Sequence, residues 1–126
     1  MSTASPLVLR FRRGMEKAAL AGFPWAFKGE IQESSEQLLH PPGALAELRD
    51  AKDRFLSLGT FHAGAAICYR ELTRTREPVD SGFFQARLQR ALARREGTIP
   101  VPYYRLAHAE ADGLPGLVID RFGETL

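Results

Sequence analysis

Short alternating runs of apolar and polar residues dominate the first half of the chain. Alternation with a period of two is typical of half-buried β-strands. The candidate strands are 7–11, 25–28, 44–49, 54–60 and 64–73. One short helix over 15–21, ended by Gly22, separates the first two strands. The pattern predicts a compact, barrel-like β domain that covers residues 5–75.

The spacing of apolar residues changes to that of a helix over 79–96, where Asp80 or Ser81 is the expected N-cap and Gly97 the expected end. At 100° per residue, one sector about 100° wide forms the expected core-facing stripe. That stripe contains Phe84, Leu88, Ala91 and Leu92. The neighbouring face carries Arg87, Arg90 and Arg94, with Phe83 beside them. These arginines form either a solvated face or part of a binding surface.

The last part of the chain predicts a β-hairpin over 103–122. Its strands, 103–109 and 117–122, flank the turn sequence A-D-G-L-P-G at 111–116. Glycine adopts positive φ without a steric penalty, and proline fixes one corner of a turn, so this sequence suits chain reversal. Residues 124–126 resemble the start of a further strand without a partner. Residues 76–126 are therefore predicted to be the beginning of an incomplete α/β domain, which makes the whole chain mainly β with α (α+β).

The distribution of charge points to an anionic partner. The net charge is only +2, but basic residues concentrate in 1–29 and 61–100, and fourteen of the seventeen are arginine. The planar guanidinium suits bidentate contacts to phosphate and stacks on bases. A single cysteine excludes an internal disulfide, and no apolar run approaches the ~20 residues that span a bilayer. We therefore expect a cytoplasmic protein without a membrane partner.

Several basic and aromatic side chains in the first half are candidates for this partner. Arg12 and Arg13 precede the helix over 15–21, where the macrodipole disfavours cations, so a bound anion would explain them. The alternative is that both belong to the preceding strand and point into water. Lys17 and Lys28 extend the basic surface. Trp25 suits a core position, with a base-stacking surface as the alternative.

No segment of the sequence assembles an active site. His108, Glu110 and Asp112 alternate, as three metal ligands on one face of a strand would, but Asp112 opens a turn and strand geometry should fail before it. Cys68 lies in the middle of a strand among apolar residues, away from any helix N-terminus that would lower its pKa. We therefore expect no catalytic, cofactor-binding or metal-binding residues in this chain.

Three segments together resemble a known family. They are G-F-P-W-A-F-K-G-E-I at 22–31, I-C-Y-R-E-L at 67–72, and above all L-P-G-L-V-I-D-R-F-G at 114–123. They are similar to the N-terminal part of bacterial class I SAM-dependent ribosomal RNA methyltransferases that act at carbon five of a cytosine in large-subunit rRNA. Phe23 stands where that family often has histidine.

The resemblance implies a PUA domain over 5–75 followed by the start of a central α/β domain, with the methyltransferase domain absent. The family's glycine-rich SAM loop and catalytic cysteine lie in that third domain, so S-adenosylmethionine is implied only for a parent enzyme. Ribosomal RNA becomes the expected partner, contacted by Arg12, Arg13, Lys17, Trp25, Lys28, Arg87, Arg90 and Arg94. The alternative is a protein-interaction module that docks a methyltransferase domain or forms a homodimer through the open strand at 124–126.

Overall fold

The computed structural model describes residues 6–126, which form two compact units that divide between Arg76 and Glu77. The first unit contains strands β1 (Leu7–Arg10), β2 (Trp25–Phe27), β3 (Ala44–Arg49), β4 (Phe55–Phe61) and β5 (Ile67–Thr73) and helix α1 (Lys17–Leu20). The second contains helix α2 (Ser81–Thr98) and strands β6 (Tyr103–His108) and β7 (Val118–Phe122). Within the described residues, no helix is long and apolar enough to cross a membrane.

The five strands of the first unit form one curled sheet. Their order is β1-β3-β4-β5-β2, with β1 parallel to β3 and the other neighbours antiparallel. Just beyond the two edge strands, an antiparallel bridge joins Phe11 to Ile31. The Arg12 amide donates to the Glu30 carbonyl at 2.8 Å, and the Gln32 amide donates to the Arg10 carbonyl at 2.8 Å. The sheet therefore curls until its edges meet, and the predicted mainly β, barrel-like α+β fold is confirmed.

The core of the first unit is apolar and lies inside the curled sheet. Alternate residues of β1 point into it, and the exposed fractions of Leu9 and Phe11 are 1% and 2%. Tyr69 is also buried, and its hydroxyl lies 2.6 Å from the Ser57 hydroxyl. A Cβ at Gly59 would lie 2.2 Å from the Arg70 carbonyl oxygen and 2.7 Å from the Tyr69 ring. The close approach of β4 and β5 therefore requires glycine at this position.

Helix α2 of the second unit spans Ser81–Thr98, so it begins and ends two residues later than the predicted helix over 79–96. Asp80 caps it, because its carboxylate accepts the Phe83 amide at 3.0 Å. Gly97 does not end the helix, which continues to Thr98, where the Ile99 amide donates to the Arg95 carbonyl at 2.7 Å. The buried residues are Phe83 and Ala91. The prediction that Phe84 faces the core is wrong, since its side chain is 38% exposed.

The predicted terminal hairpin is present as β6 and β7. Strand β6 ends at His108, and a 3₁₀ helix over Ala109–Asp112 followed by Gly113 at φ +67° begins the reversal. The expectation that residues 124–126 lack a partner is wrong. The Phe122 amide donates to the Thr125 carbonyl at 2.7 Å, and the Thr125 amide donates back at 3.0 Å. Self-association or docking through this edge stays a prediction.

Candidate RNA-binding surface

Three aromatic side chains form a cluster on the surface of the first unit, which we call the aromatic strip: Phe23, Trp25 and Phe27. The Phe23 and Trp25 rings meet edge to face with centroids 5.8 Å apart, and the Phe23 and Phe27 rings are nearly parallel at 6.4 Å. Phe23 and Phe27 are 42% and 41% exposed. Exposed aromatic rings that are held in place by one another offer π-faces to a planar ligand.

Strand β2 positions this strip because its side chains alternate between two faces. Ala26 is 1% exposed and fills the core, which sends Trp25 and Phe27 to the opposite face. The expectation that Trp25 is a core residue is therefore wrong, since its side chain is only partly buried. Trp25 pairs with Arg70 across β2 and β5, and the guanidinium lies 5.2 Å from the indole centroid. This cation–π contact places a positive charge beside the strip.

The predicted basic residues of the first unit are all exposed at its surface. Lys28 directly follows the strip and is exposed, as are Arg12, Arg13 and Lys17. Helix α1 is only one turn long and begins at Lys17, so Arg12 and Arg13 lie in the preceding turn. The expectation that they flank a helix N-terminus with an anion between them is therefore not supported by the position of the helix. Because both side chains are exposed, their contact with RNA phosphates stays a prediction.

Arg13 lines a surface cleft that no sequence pattern indicated. Lys52 and Arg54, from the turn between β3 and β4, line the same cleft. Asp50 organises that turn by accepting the Lys52 and Arg54 amides, each at 2.9 Å. These hydrogen bonds and the Arg54 guanidinium at 2.7 Å lower the pKa of Asp50. The turn thus presents two further cations near Arg13.

In the second unit, two of the three predicted arginines are committed to contacts within the unit. Arg87 donates to the Gly113 carbonyl at 2.7 Å, and its guanidinium lies 4.4 Å from the Phe83 ring centroid. Arg94 bonds to the carboxylate of Asp112. Arg90 is exposed at the surface of α2. The basic face of this helix therefore has a structural role, whether or not it also contacts RNA.

Asp112 is the centre of these contacts, and its side chain is 2% exposed. Arg95 binds it in a bidentate manner at 2.7 and 2.8 Å, and the His108 amide donates to it at 2.7 Å. Together with Arg94, these residues form what we call the Asp112 cluster. The hydrogen bonds from Arg95 above all lower the pKa of Asp112 to about 2. The turn at 111–116 is therefore stabilised by the contacts of Asp112 as well as by its glycine and proline residues.

The same contacts bear on the hypothesis of a metal site at His108, Glu110 and Asp112. The strand ends at His108, so the three side chains do not continue along one face, as anticipated. The Glu110 carboxylate accepts the Gly116 amide at 3.1 Å. Among residues 6–126, no group of three His, Cys, Asp or Glu side chains is placed to hold a metal ion.

Cys68 is buried, as predicted, with an exposed fraction of 3%. Its thiol donates to the Ala26 carbonyl, with sulfur and oxygen 3.6 Å apart. Burial raises the pKa of this thiol to about 11. The side chain therefore stays protonated at neutral pH and is a poor nucleophile.

Sequence reasoning missed Arg70 and Phe27 as members of the candidate surface. Arg70 lies in a basic block, but only the register of β2 against β5 shows that it faces Trp25. That pairing joins segments more than forty residues apart, which no local pattern specifies. Phe27 could have been predicted, because it lies two residues after Trp25 in a strand and therefore shares its face.

The profile of the PUA-like domain family matches residues 9–74, and the chain belongs to this family. The chain is also 33% identical to "Ribosomal RNA large subunit methyltransferase" from Deinococcus radiodurans, an alignment that covers 99% of this chain and 32% of that protein. It is 36% identical to "Ribosomal RNA large subunit methyltransferase I" from Salmonella arizonae, covering 90% of this chain and 29% of that protein. The chain thus spans about a third of the length of these relatives and is homologous to them.

Two solved structures share the fold. One is a protein from Streptococcus mutans assigned as a SAM-dependent methyltransferase, with a TM-score of 0.74 and 17% identity over 93% of this chain and 31% of that one. The other, assigned as a methyltransferase and crystallised with SAH, has a TM-score of 0.72 and 17% identity over 93% of this chain and 30% of that one. At this identity the likeness concerns the fold alone.

Proposed function

We propose that this chain is an RNA-binding module that targets a SAM-dependent methyltransferase to large-subunit ribosomal RNA. Membership of the PUA-like domain family and homology to rRNA methyltransferases support this assignment. The resemblance carried by residues 114–123 extends the proposal to modification at carbon five of a cytosine. Ribosomal RNA as partner implies a cytoplasmic location.

The aromatic strip is the observation that carries the RNA-binding proposal. Phe23 and Phe27 offer π-faces, Arg70 supplies positive charge beside Trp25, and the exposed Lys28 directly follows the strip in the chain. Proteins recognise single-stranded RNA by stacking unpaired bases on aromatic rings while cations contact the phosphates. The first unit presents both elements together, which favours unpaired nucleotides over a continuous duplex.

The chain's own residues supply recognition and no chemistry in this proposal. SAM would supply the methyl group in the parent enzyme, but the described residues contain no glycine-rich loop between a strand and a helix. The Cys68 thiol is buried with its pKa raised to about 11, which does not suit a catalytic nucleophile. We therefore assign no SAM contact and no catalytic residue to residues 6–126.

The proposal is tested by fluorescence anisotropy with labelled single-stranded fragments of large-subunit rRNA. Trp25→Ala is expected to weaken binding about tenfold, because stacking of one base contributes about 1–3 kcal/mol. Trp25→Phe should retain most of the affinity, since it keeps a π-face. If six cations contact phosphates, the log–log salt slope should be about −4, and Lys28→Ala should reduce it by about 0.7.

Phe122→Ala is the matched control, because Phe122 is also an exposed aromatic residue but lies outside the strip. It should bind RNA as the wild type does. The proposal is wrong if the wild type fails to bind rRNA fragments at low salt. It is also wrong if Trp25→Ala and Phe122→Ala bind with equal affinity and the salt dependence is flat.

A further inference from the structure

A cavity of about 370 Å³ opens in the first unit between the barrel core and the 3₁₀ helix Ser35–Leu39. Its volume falls within the ~300–1,000 Å³ of small-ligand sites. Its apolar lining includes Ile31, Phe61 and Cys68, each no more than 3% exposed. The accessible apolar surface of the lining comes mainly from Leu38 and Ala63, so a ligand with apolar faces would gain dispersion contacts with these two side chains.

Polar and charged side chains complete the lining. Lys28, Glu33, Ser35 and Gln37 all lie there. The Gln37 amide nitrogen donates to the Gln32 carbonyl at 2.8 Å, which holds the side chain in place. The lining thus combines an apolar surface, hydrogen-bonding groups of both kinds and one cation. A planar ligand with apolar faces, a polar edge and an attached negative charge matches this combination, and a nucleotide has all three.

The position of the cavity connects it to the aromatic strip. Lys28 lines the cavity and directly follows Phe27, the last residue of the strip. The Lys28 amide donates to the Ala66 carbonyl at 2.9 Å, which fixes this point of the chain against the turn before β5. A phosphate held by Lys28 would therefore lie beside the cavity, at the residue that directly follows the strip in the chain.

We infer that this cavity accepts one nucleobase extruded from the RNA strand that stacks on the strip, with Lys28 on its phosphate. This inference rests on the proposed RNA-binding function. Unpaired bases that leave the stack are commonly bound by insertion into pockets of this kind. Leu38 also lines the cavity and is 79% exposed, so the inserted base would cover an apolar side chain that now faces solvent.

Glu33 sets the preference among bases. An ionised carboxylate only accepts hydrogen bonds, and it pairs well with exocyclic amino groups. Adenine, cytosine and guanine carry such a group, whereas the single N–H donor on the Watson–Crick edge of uracil lies between two carbonyl oxygens, which a carboxylate repels. The cavity therefore selects an amino-bearing base over uracil.

Methyl NMR of the full chain with AMP, CMP, GMP and UMP tests this inference directly. The Ala63 and Ile31 methyl signals, which report on the cavity, should shift and saturate with AMP, CMP or GMP. UMP should bind at least about fivefold more weakly, and Glu33→Gln should reduce that difference, because an amide can also donate. The Leu7 and Leu9 methyls, in the core cluster but outside the cavity lining, should not move.

Filling the cavity provides the second test. Ala63→Leu should abolish the nucleotide-induced shift of the Ile31 methyl signals and weaken binding of an rRNA oligonucleotide about fivefold. Ala66→Leu, the same change at an exposed position outside the lining, should alter neither. If Ala63→Leu does not fold, Gln37→Ala on the exposed 3₁₀ helix replaces it and should weaken nucleotide binding.

The outcomes separate this inference from the function on which it rests. RNA binding that depends on Trp25, without any shift at Ala63 or any effect of Ala63→Leu, overturns the cavity assignment and leaves the proposed function intact. Absence of RNA binding by the wild type overturns the proposed function. Saturable shifts at Ile31 that Ala63→Leu removes support the nucleotide site whatever the RNA result. Equal affinity for UMP and the other three nucleotides overturns the base preference.

Discussion

The two units of this protein differ in how much of their packing is apolar. The first unit closes a sheet around an apolar core that excludes water. The second buries few apolar side chains and instead fixes a turn to a helix through arginines that converge on the carboxylate of Asp112. Buried carboxylates that bind arginine also occur in the first unit, where Glu47 binds Arg49 and Arg76 and Asp50 binds Arg54. Arginine therefore has both exposed and structural roles in this protein. It is exposed in the turn before α1 and in part structural on α2, so a basic block in sequence does not by itself define a binding surface.

The largest effect is expected when the core of the first unit is disrupted. Gly59→Ala would place a Cβ 2.2 Å from the Arg70 carbonyl oxygen, and β4 and β5 would have to separate. We expect a loss of about 3 kcal/mol in the free energy of unfolding of the first unit. Denaturant unfolding followed by the fluorescence of Trp25, the single tryptophan, measures this loss.

Gly29→Ala is the control for that change, because a Cβ at Gly29 meets no atom within 4 Å. It should shift the midpoint very little. Equal stability of the two alanine variants would show that the contact between β4 and β5 yields easily, and the contrast in apolar packing between the two units would fail.

A smaller effect is expected from breaking the Asp112 cluster. Asp112→Asn removes the charge that Arg94 and Arg95 share, while keeping the size of the side chain. We expect the second unit to lose about 2 kcal/mol, since Arg95 is left partly buried without its partner. Hydrogen exchange of peptides from α2 and β6 should accelerate, whereas that of β3 and β4 should not change.

Asp120→Asn is the matched control in the same hairpin. Asp120 pairs with Arg105 at 2.8 Å, but both side chains are at least 40% exposed, and such pairs contribute little. Its exchange pattern should resemble that of the wild type. If the two asparagine variants behave alike, burial of the Asp112 carboxylate is not what stabilises the second unit.

Acid should weaken the same cluster without any substitution. The pKa of Asp112 is about 2 in the folded protein, against about 3.9 in an unfolded chain. Because the folded pKa is depressed, the contribution of Asp112 is complete above about pH 4 and is lost as pH falls toward 2. Carboxyl NMR titration should give this low pKa, and Arg95→Lys should raise it. A pKa near the unfolded value would contradict the assigned hydrogen bonds.

The sequence was sufficient to predict those elements that pair with a neighbouring segment of the chain. The hairpin from β3 to β4 and the terminal hairpin follow from alternation and turn residues, and their positions agree with the structure. Helix α2 was also evident, but Phe83 and Phe84 are adjacent, and hydrophobicity alone gave no basis for choosing which one is buried.

Features that depend on distant pairing could not be predicted. Ala26 is a weak core candidate beside Trp25, and only the curvature of the closed sheet makes the smaller side chain the one that fits inside. The sequence around Asp112 predicts a turn, and an aspartate in a turn needs no partner on a helix, so its contacts with α2 were not expected. Its burial follows from the distance between α2 and the hairpin, which the sequence does not specify locally.

The bridge between Phe11 and Ile31 has a consequence for how recognition can diversify. The segment between Phe11 and Ile31 begins and ends at neighbouring positions on the barrel, and β2 within it pairs with β5. All the candidate RNA contacts of the first unit that the sequence indicated lie between these two residues. The exposed side chains of this segment can therefore change to give new specificities while Ala19 and Ala26 fill the core and β2 keeps its pairing with β5.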